Sequence, residues 1–499
     1  MVVWPRMWRH ASSPIHAVSI PPMGHIGHFG HRWRRTWVVT AAAVACCLAT
    51  ILVFSPGYLS HDSLYQLKQA IGMEPLSDWH PPVMSLAWRA LIAVTGTPAS
   101  MAVLQSVIFW AAIWVIACCV QNFTGSRSGA LAVLGAGVLP HVLTLVGVVW
   151  KDVHMAFALL VTSAIALSGL RLRADRRAPR WALFSLGVLF LVYAILVRKN
   201  AVFAAIPVFV MLVLALWGKP APRIWIITTA ALVLGLVAST VAISVAARPV
   251  KTSQVSQIML DDLLHVLSVQ ELESAAVSPN LRERLVAAAK ECDRVNALSD
   301  TYWTCYGRGK HGPFTAVAHT DQISSLWVRE MIRHVPGYLQ YRLEIFSKFL
   351  FESRYQYHPG IAANDLRLEL HHPRLGRALQ TYVDGAARDL PVLFAGWFWL
   401  TIAVVLAVRP GSGTFAMPVR ALGISAAAYV LAYLPILPVT NYRYMYWSAI
   451  ACTVGVLLCR LGRGTADVRV DPSQAEARGR QGRTRQDCID LDRRSGSSR

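Results

Sequence analysis

RWRRTWVVTAAAVACCLATILVF, residues 32–54, decides what kind of protein this is. The run from Thr36 to Phe54 is unbroken by charge, and a helix needs about 20 apolar residues to cross a bilayer. Arg32, Arg34 and Arg35 precede it, with Arg6 and Arg9 further upstream. Basic flanks stay on the cytoplasmic side, so the N-terminus is predicted inside. The run starts late and no small-residue cleavage site follows it, which predicts an anchor rather than a cleaved leader.

The rest of the chain repeats this pattern. Full-length apolar runs are predicted at 99–120, 129–149, 153–170, 181–197, 201–217, 224–246, 389–408, 421–439 and 445–460, with a shorter one at 81–95. Hydrophobic residues make up 55% of the 499 and charged residues only 15%, too apolar a balance for a soluble core. The net charge of +21 would suit nucleic acid in a soluble protein. Here the arginines cluster between apolar runs, and no zinc-finger, Gly-rich phosphate loop or RNA-binding signature accompanies them, so nucleic acid is excluded. The fold class is an all-α polytopic membrane protein of about 10–11 transmembrane helices.

The short run sets the topology. It opens on Pro81-Pro82 and carries Arg89. If it crosses fully, the basic stretch from Arg171 to Arg180 falls outside; if it dips in or lies at the interface, every basic connector falls inside. The second arrangement is favoured and leaves both termini cytoplasmic. The predicted organisation is a basic arm (1–35), a catalytic transmembrane module (36–246) with a first external loop (55–80), a mostly helical extracytoplasmic segment (247–388), C-terminal spans (389–460) and a disordered tail (461–499). Helical periodicity within the external segment covers 257–270, 281–294 and 320–350. Cys292 and Cys305 are the only cysteines in that segment, an oxidising location, and form a candidate disulfide. Cys46, Cys47, Cys118, Cys119, Cys452 and Cys459 lie in spans and read as small core residues. Histidines 10, 16, 25, 28 and 31 have no metal-ligand spacing and read as part of a basic arm.

Between Thr36 and Ala246 there are only five acids, Asp62, Glu74, Asp78, Asp152 and Asp175. Asp175 sits among arginines; the other four map to the outer face. Each could cap a helix or mark headgroup level. Three of them, Asp62, Asp78 and Asp152, share that face with the cations Lys151, Arg198, Lys199 and Arg443, and that grouping points to function. A carboxylate can take a proton from a hydroxyl while cations hold a phosphate leaving group. Trp79, Trp150, Tyr442, Tyr444 and Tyr446 read as interface anchors, with sugar stacking as the lesser alternative for each.

In this order the motifs resemble the GT-C superfamily of membrane glycosyltransferases. They are SPGYLSHDS (55–63), Gln66, Asp78-Trp79-His80-Pro81-Pro82, Trp150-Lys151-Asp152, Arg198-Lys199-Asn200, and Trp327 to Arg342 with His334-Val335-Pro336-Gly337-Tyr338-Leu339. Asn441-Tyr442-Arg443-Tyr444 is a weaker addition. The resemblance implies a sugar donor carried on polyprenyl or dolichyl phosphate and an inverting transfer to an acceptor hydroxyl. It implies Asp62, Asp152 and His80 as catalytic, with Asp62 as the base and His80 near the donor phosphate. Lys151, Arg198, Asn200, Arg443 and Asp78 are the candidate substrate-binding residues, read from their shared face with the acids. Asp62 is followed by Ser63, where members carry a second acid, so metal ligands stay unassigned and a divalent cation (Mg or Mn) stays open. The implied partners are a polyprenyl-phosphate sugar, a cell-envelope glycan, lipid or protein acceptor, and membrane lipids, in a bacterial plasma membrane. The alternative is a lipid or sugar transporter or flippase. Its marks are ionisable residues deep within spans and matching halves. The acids lie at segment ends instead, and no internal repeat is visible.

Overall fold

The computed structural model describes residues 26–172, 176–307, 314–352 and 359–463, with side chains from residue 36 to 462. Most of the N-terminal arm and nearly all of the tail, with its Cys488, lie outside these residues, as do Asp175, His311 and His358. The described chain is helical, with only three isolated backbone bridges among the described residues.

The first half contains α1 (Ile26–Phe54), α2 (His61–Ile71), α3 (Pro82–Thr95), α4 (Ser100–Thr124), α5 (Arg127–Ala136), α6 (Pro140–Val146), α7 (Lys151–Gly169), α8 (Arg177–Val197), α9 (Val202–Trp217) and α10 (Pro222–Ala247). Then follow α11 (Gln254–Val266), α12 (Val269–Glu273), α13 (Pro279–Arg294), α14 (Thr320–Arg333), α15 (Val335–Phe351) and α16 (Pro373–Asp389). The chain closes with α17 (Gly396–Val408), α18 (Ala416–Leu431) and α19 (Tyr446–Arg463).

Among the described residues six helices are long and apolar enough to cross a membrane: the Thr36–Phe54 part of α1, then α4, α7, α8, the Lys199–Trp217 stretch and α10. The 129–149 run is two helices, α5 and α6, bent by 58° at a break ending in Pro140. Proline at a helix start removes a donor that has no partner there anyway, so the chain turns at that point without losing a hydrogen bond. α3, α17, α18 and α19 are shorter apolar helices. At 1.5 Å per residue α3 reaches about 21 Å, short of an apolar layer of about 30 Å.

α7 is the centre of the bundle. It packs on α4, α8 and α9, and its side chains are almost all buried. Large apolar residues on every face leave it no solvent side, as a central membrane helix requires. The 320–350 periodicity is broken at His334, which separates α14 from α15, and Pro336 stands in the first turn of α15. The 389–408 run becomes helical only from Gly396, after a short 3-10 turn at Pro391–Phe394.

Residues 254–331 enclose a second core of Leu260, Leu263, Leu281, Leu285, Ile323 and Leu326. Cys292 and Cys305 are bonded across it, 13 positions apart. Closing a loop of that size restricts the unfolded chain by about 3 kcal/mol. Cys292→Ser is therefore expected to raise the protease sensitivity of this segment to that of the reduced parent; equal sensitivity of all forms would count against a stabilising bridge.

Three stretches far apart in sequence run side by side beneath the site. Tyr58 N–H donates to the Gly147 carbonyl (3.0 Å), and Val149 N–H returns to Tyr58 (3.0 Å). Leu59 N–H donates to Gly360 (3.0 Å), and Ala362 N–H to Leu59 (2.8 Å). On α4, Gln105 Nε2 donates to the Val146 and Val148 carbonyls. These bonds fix the 55–60 loop to the start of α7. Gly147 is required there, since a Cβ would lie 1.9 Å from Phe54 Cγ. Gly147→Ala is expected to cost about 1–3 kcal/mol by overpacking. A lowered thermal midpoint of the full chain in nanodiscs would show it, and an unchanged midpoint would refute it.

Candidate active site

Ser60 and Ser63 form a capping box at the start of α2 and place Asp62 in its first turn, where the helix dipole favours negative charge. Ser60 Oγ also accepts from Trp150 Nε1 (2.6 Å), and Ser63 Oγ donates to the Val149 carbonyl (2.7 Å). Through these bonds the first turn of α2 is held against the first turn of α7, which carries Lys151 and Asp152.

Two carboxylate–guanidinium pairs meet there. Arg443 Nη1 lies 3.0 Å from Asp62 Oδ2, and Arg198 Nη1 lies 3.1 Å from Asp152 Oδ1. Tyr444 joins the pairs: the Arg198 guanidinium sits 4.7 Å from its ring centroid and that of Arg443 5.0 Å. Arg443 also lies over the Trp150 ring (5.1 Å) and donates to Tyr444 Oη (3.1 Å). Arg198 donates to Tyr433 Oη (2.8 Å) and to Asn200 Oδ1 (3.2 Å). Aromatic faces fix the guanidiniums without cancelling their charge.

The two pairs differ in access. The Asp152 side chain is fully buried, whereas that of Asp62 is 39% exposed. Asp62 can therefore meet a substrate, while Asp152 holds Arg198 in place. Burial would raise the Asp62 carboxyl, but Arg443, His80 and Lys151 outweigh it and hold the group well below the usual carboxylate range. Lys151 lies within electrostatic reach of Asp62, Asp152, Arg198 and Arg443. Among the described residues its ammonium makes no hydrogen bond or salt bridge. His80 is buried, its ring 5.4 Å from that of Tyr65. Burial and Lys151 lower its imidazole to about 3 despite Asp62, so it is neutral near pH 7, and among the described residues Nδ1 has no hydrogen-bond partner. The Asn200 amide nitrogen and Arg443 Nε are likewise buried, with no partner among the described residues.

Asp62, His80, Lys151, Asp152, Arg198, Asn200 and Arg443 are thus brought together or into electrostatic reach of one another. Asp78 is engaged elsewhere. Its carboxylate accepts from the Thr252 backbone N–H (2.6 Å) and hydroxyl, tying the loop to the chain after α10. His61 and Lys199 are exposed. Trp150 and Tyr444, read from sequence as interface anchors, are buried against the guanidiniums. Tyr433 and Asp300 also reach the site, and nothing near either in sequence marks it as functional.

The donor set does not suit a divalent cation. Asp62 and Asp152 each already face a guanidinium, the Lys151 ammonium is within electrostatic reach of both, and among the described residues no three His, Cys, Asp or Glu side chains gather. Lys151, which has no ion-pair partner among the described residues, places a local positive charge beside the two Asp–Arg pairs, and that suits an anion.

No family model matches the chain, and no curated protein matches it. Among solved structures it is similar to ArnT from Cupriavidus metallidurans bound to undecaprenyl phosphate, at 12% identity and a TM-score of 0.33, over 80% of this chain and 77% of that one. It is also similar to the archaeal oligosaccharyltransferase AglB from Archaeoglobus fulgidus, in complex with an inhibitory peptide and a dolichol-phosphate. That similarity is at 10% identity and a TM-score of 0.33, over 85% of this chain and 50% of that one, so the chain spans about half of AglB.

Proposed function

We propose that the chain is an integral membrane glycosyltransferase that moves a sugar from a polyprenyl-phosphate donor to an acceptor hydroxyl on the outer face of the plasma membrane. The observation that carries this reading is the uncommitted Lys151 ammonium between two Asp–Arg pairs, one of whose carboxylates is accessible. The reading agrees with the GT-C resemblance of the first loop.

The donor phosphate sits against Lys151 and Arg443, with Arg198 adding charge from behind Tyr444. The acceptor hydroxyl approaches Asp62 from the open side. Its oxygen bonds to the anomeric carbon and the bond from that carbon to the phosphate oxygen breaks. The electron pair leaves on the polyprenyl phosphate, and the hydroxyl proton passes to Asp62. A carboxylate this acidic is a weak base, but it suffices when the proton moves late, after the hydroxyl has become acidic by bonding to carbon. The cations stabilise the charge that grows on the leaving phosphate. Asp152, buried, orients Arg198, and His80 as a neutral donor completes the phosphate contacts.

The test is incubation of the full chain in bilayers with radiolabelled undecaprenyl-phosphate sugars and a membrane extract. Label moving to an extract component is expected. Movement of intact labelled lipid between leaflets without transfer would establish a flippase instead, and no movement of either kind would overturn the enzyme reading.

A further inference from the structure

A third carboxylate approaches the site from the segment that lies between α10 and α17 in sequence. Asp300 lies in the loop after α13, and that loop docks on the stretch leading into Asn441-Tyr442-Arg443. Asp300 N–H donates to the Pro438 carbonyl (3.1 Å), and Ser299 Oγ lies 3.4 Å from Thr440 Oγ1. The Asp300 backbone is left-handed, at φ 59°. Asp and Asn tolerate that region best among residues with a side chain, and such a conformation persists only where its surroundings enforce it. Here the enforcement is visible: the Asp300 carbonyl accepts from Trp303 N–H (3.0 Å) and from Thr304 N–H (3.0 Å) and Oγ1 (3.0 Å), while its N–H is held by Pro438.

Every backbone polar group of Asp300 is therefore used, yet among the described residues its half-buried carboxylate makes no hydrogen bond or salt bridge. Arg443, Asp62 and Asp261 are the charged groups within its electrostatic reach. Burial raises its carboxyl above the ordinary value; Arg443 opposes the shift, and Asp261 and Asp62 add to it. Asp261 is itself occupied by Thr301 Oγ1 (2.7 Å) and Tyr306 Oη (2.6 Å), so it does not compete for a ligand.

We infer that Asp300 binds the acceptor: its carboxylate accepts a hydrogen bond from one hydroxyl of a polyhydroxylated, sugar-like acceptor and turns a neighbouring hydroxyl toward Asp62. This rests on the transferase reading above and deepens it by assigning the acceptor side. A second carboxylate within electrostatic reach of the base matches a polyhydroxylated acceptor, which offers neighbouring hydroxyls, better than a monohydric side chain.

The test compares the parent chain with Asp300→Asn and Asp300→Gly in nanodiscs, using radiolabelled undecaprenyl-phosphate sugars and a membrane extract. Asn and Gly both accept the left-handed backbone. Two readouts are followed, transfer to the extract and release of free sugar to water. Transfer at limiting extract is expected to fall roughly ten- to a hundredfold in Asp300→Gly, the worth of one hydrogen bond to a charged group, and by less in Asp300→Asn, whose amide oxygen still accepts. Half-saturating extract should rise, while hydrolysis and the thermal midpoint stay unchanged. Unchanged transfer, or transfer and hydrolysis falling together, would overturn the role of Asp300 and leave the transferase standing. Label found only in protein would overturn the sugar-like acceptor. A parent chain that neither transfers nor hydrolyses would overturn both.

Discussion

Asp62→Asn is expected to lower sugar transfer by roughly 10²- to 10⁴-fold, the range spanned by loss of a general base. The chain should still accumulate in membranes. Asn matches the shape of Asp and keeps an oxygen for Arg443, which is also held by Trp150 and Tyr444. The capping box that starts α2 uses Ser60 and Ser63 and is untouched. Only the charge that takes the proton is removed. Transfer rate and thermal midpoint measured on one preparation decide the matter, and near-normal turnover would take Asp62 out of the chemistry. The pH dependence follows from the same surroundings. Because Arg443, His80 and Lys151 depress the Asp62 carboxyl against the pull of burial, its contribution to folding and to activity is complete above the ordinary carboxylate value. It is lost only as pH falls through the lower folded value. Transfer by the parent chain should therefore persist through mild acid without a step from this residue.

Arg342→Met should destabilise the protein by about 3–5 kcal/mol, as removal of one partner of a buried ion pair does. Arg342 Nη2 lies 2.6 Å from Asp262 Oδ1, and both side chains are almost fully buried. Asp262 also accepts from Trp327 Nε1 (2.8 Å), so the pair ties α11, α14 and α15 together. Arg342 Nη1 donates to the Leu437 carbonyl (3.1 Å), on the stretch that leads to Arg443, so the same variant should also displace the site. Burial raises the Asp262 carboxyl to about 6 even though Arg342 opposes it. A carboxyl raised on folding favours the folded state below its unfolded value, and that advantage disappears as pH rises through the folded one. Losing Arg342 raises the group further. The damage should be largest at neutral pH and shrink on acidification. Adding Asp262→Asn should recover part of it, since the amide oxygen still accepts from Trp327. Proteolysis of the 254–351 segment at pH 5 and pH 7.5 would measure this, and equal loss at both would argue against an uncompensated buried charge.

The apolar helices and the acids and cations at their ends are legible in the linear chain, because those signals are local. Twenty apolar residues in a row, a Ser60–Ser63 cap and a proline pair are each written in one stretch of chain. Even so, local periodicity did not show the bend between α5 and α6 or the break at His334, where a proline and the packing around it override a continuous apolar pattern. Which acid meets which cation is set by packing between distant stretches. Asp62 and Arg443 stand 381 positions apart and Arg198 and Tyr433 235 apart. That packing also separated Asp62 from Asp152 by access, moved Asp78 onto Thr252, placed Tyr444 between two guanidiniums and brought Asp300 to the site. Charge pairing, burial and a left-handed turn at a docking loop depend on neighbours that folding supplies, and no single stretch of chain carries that information.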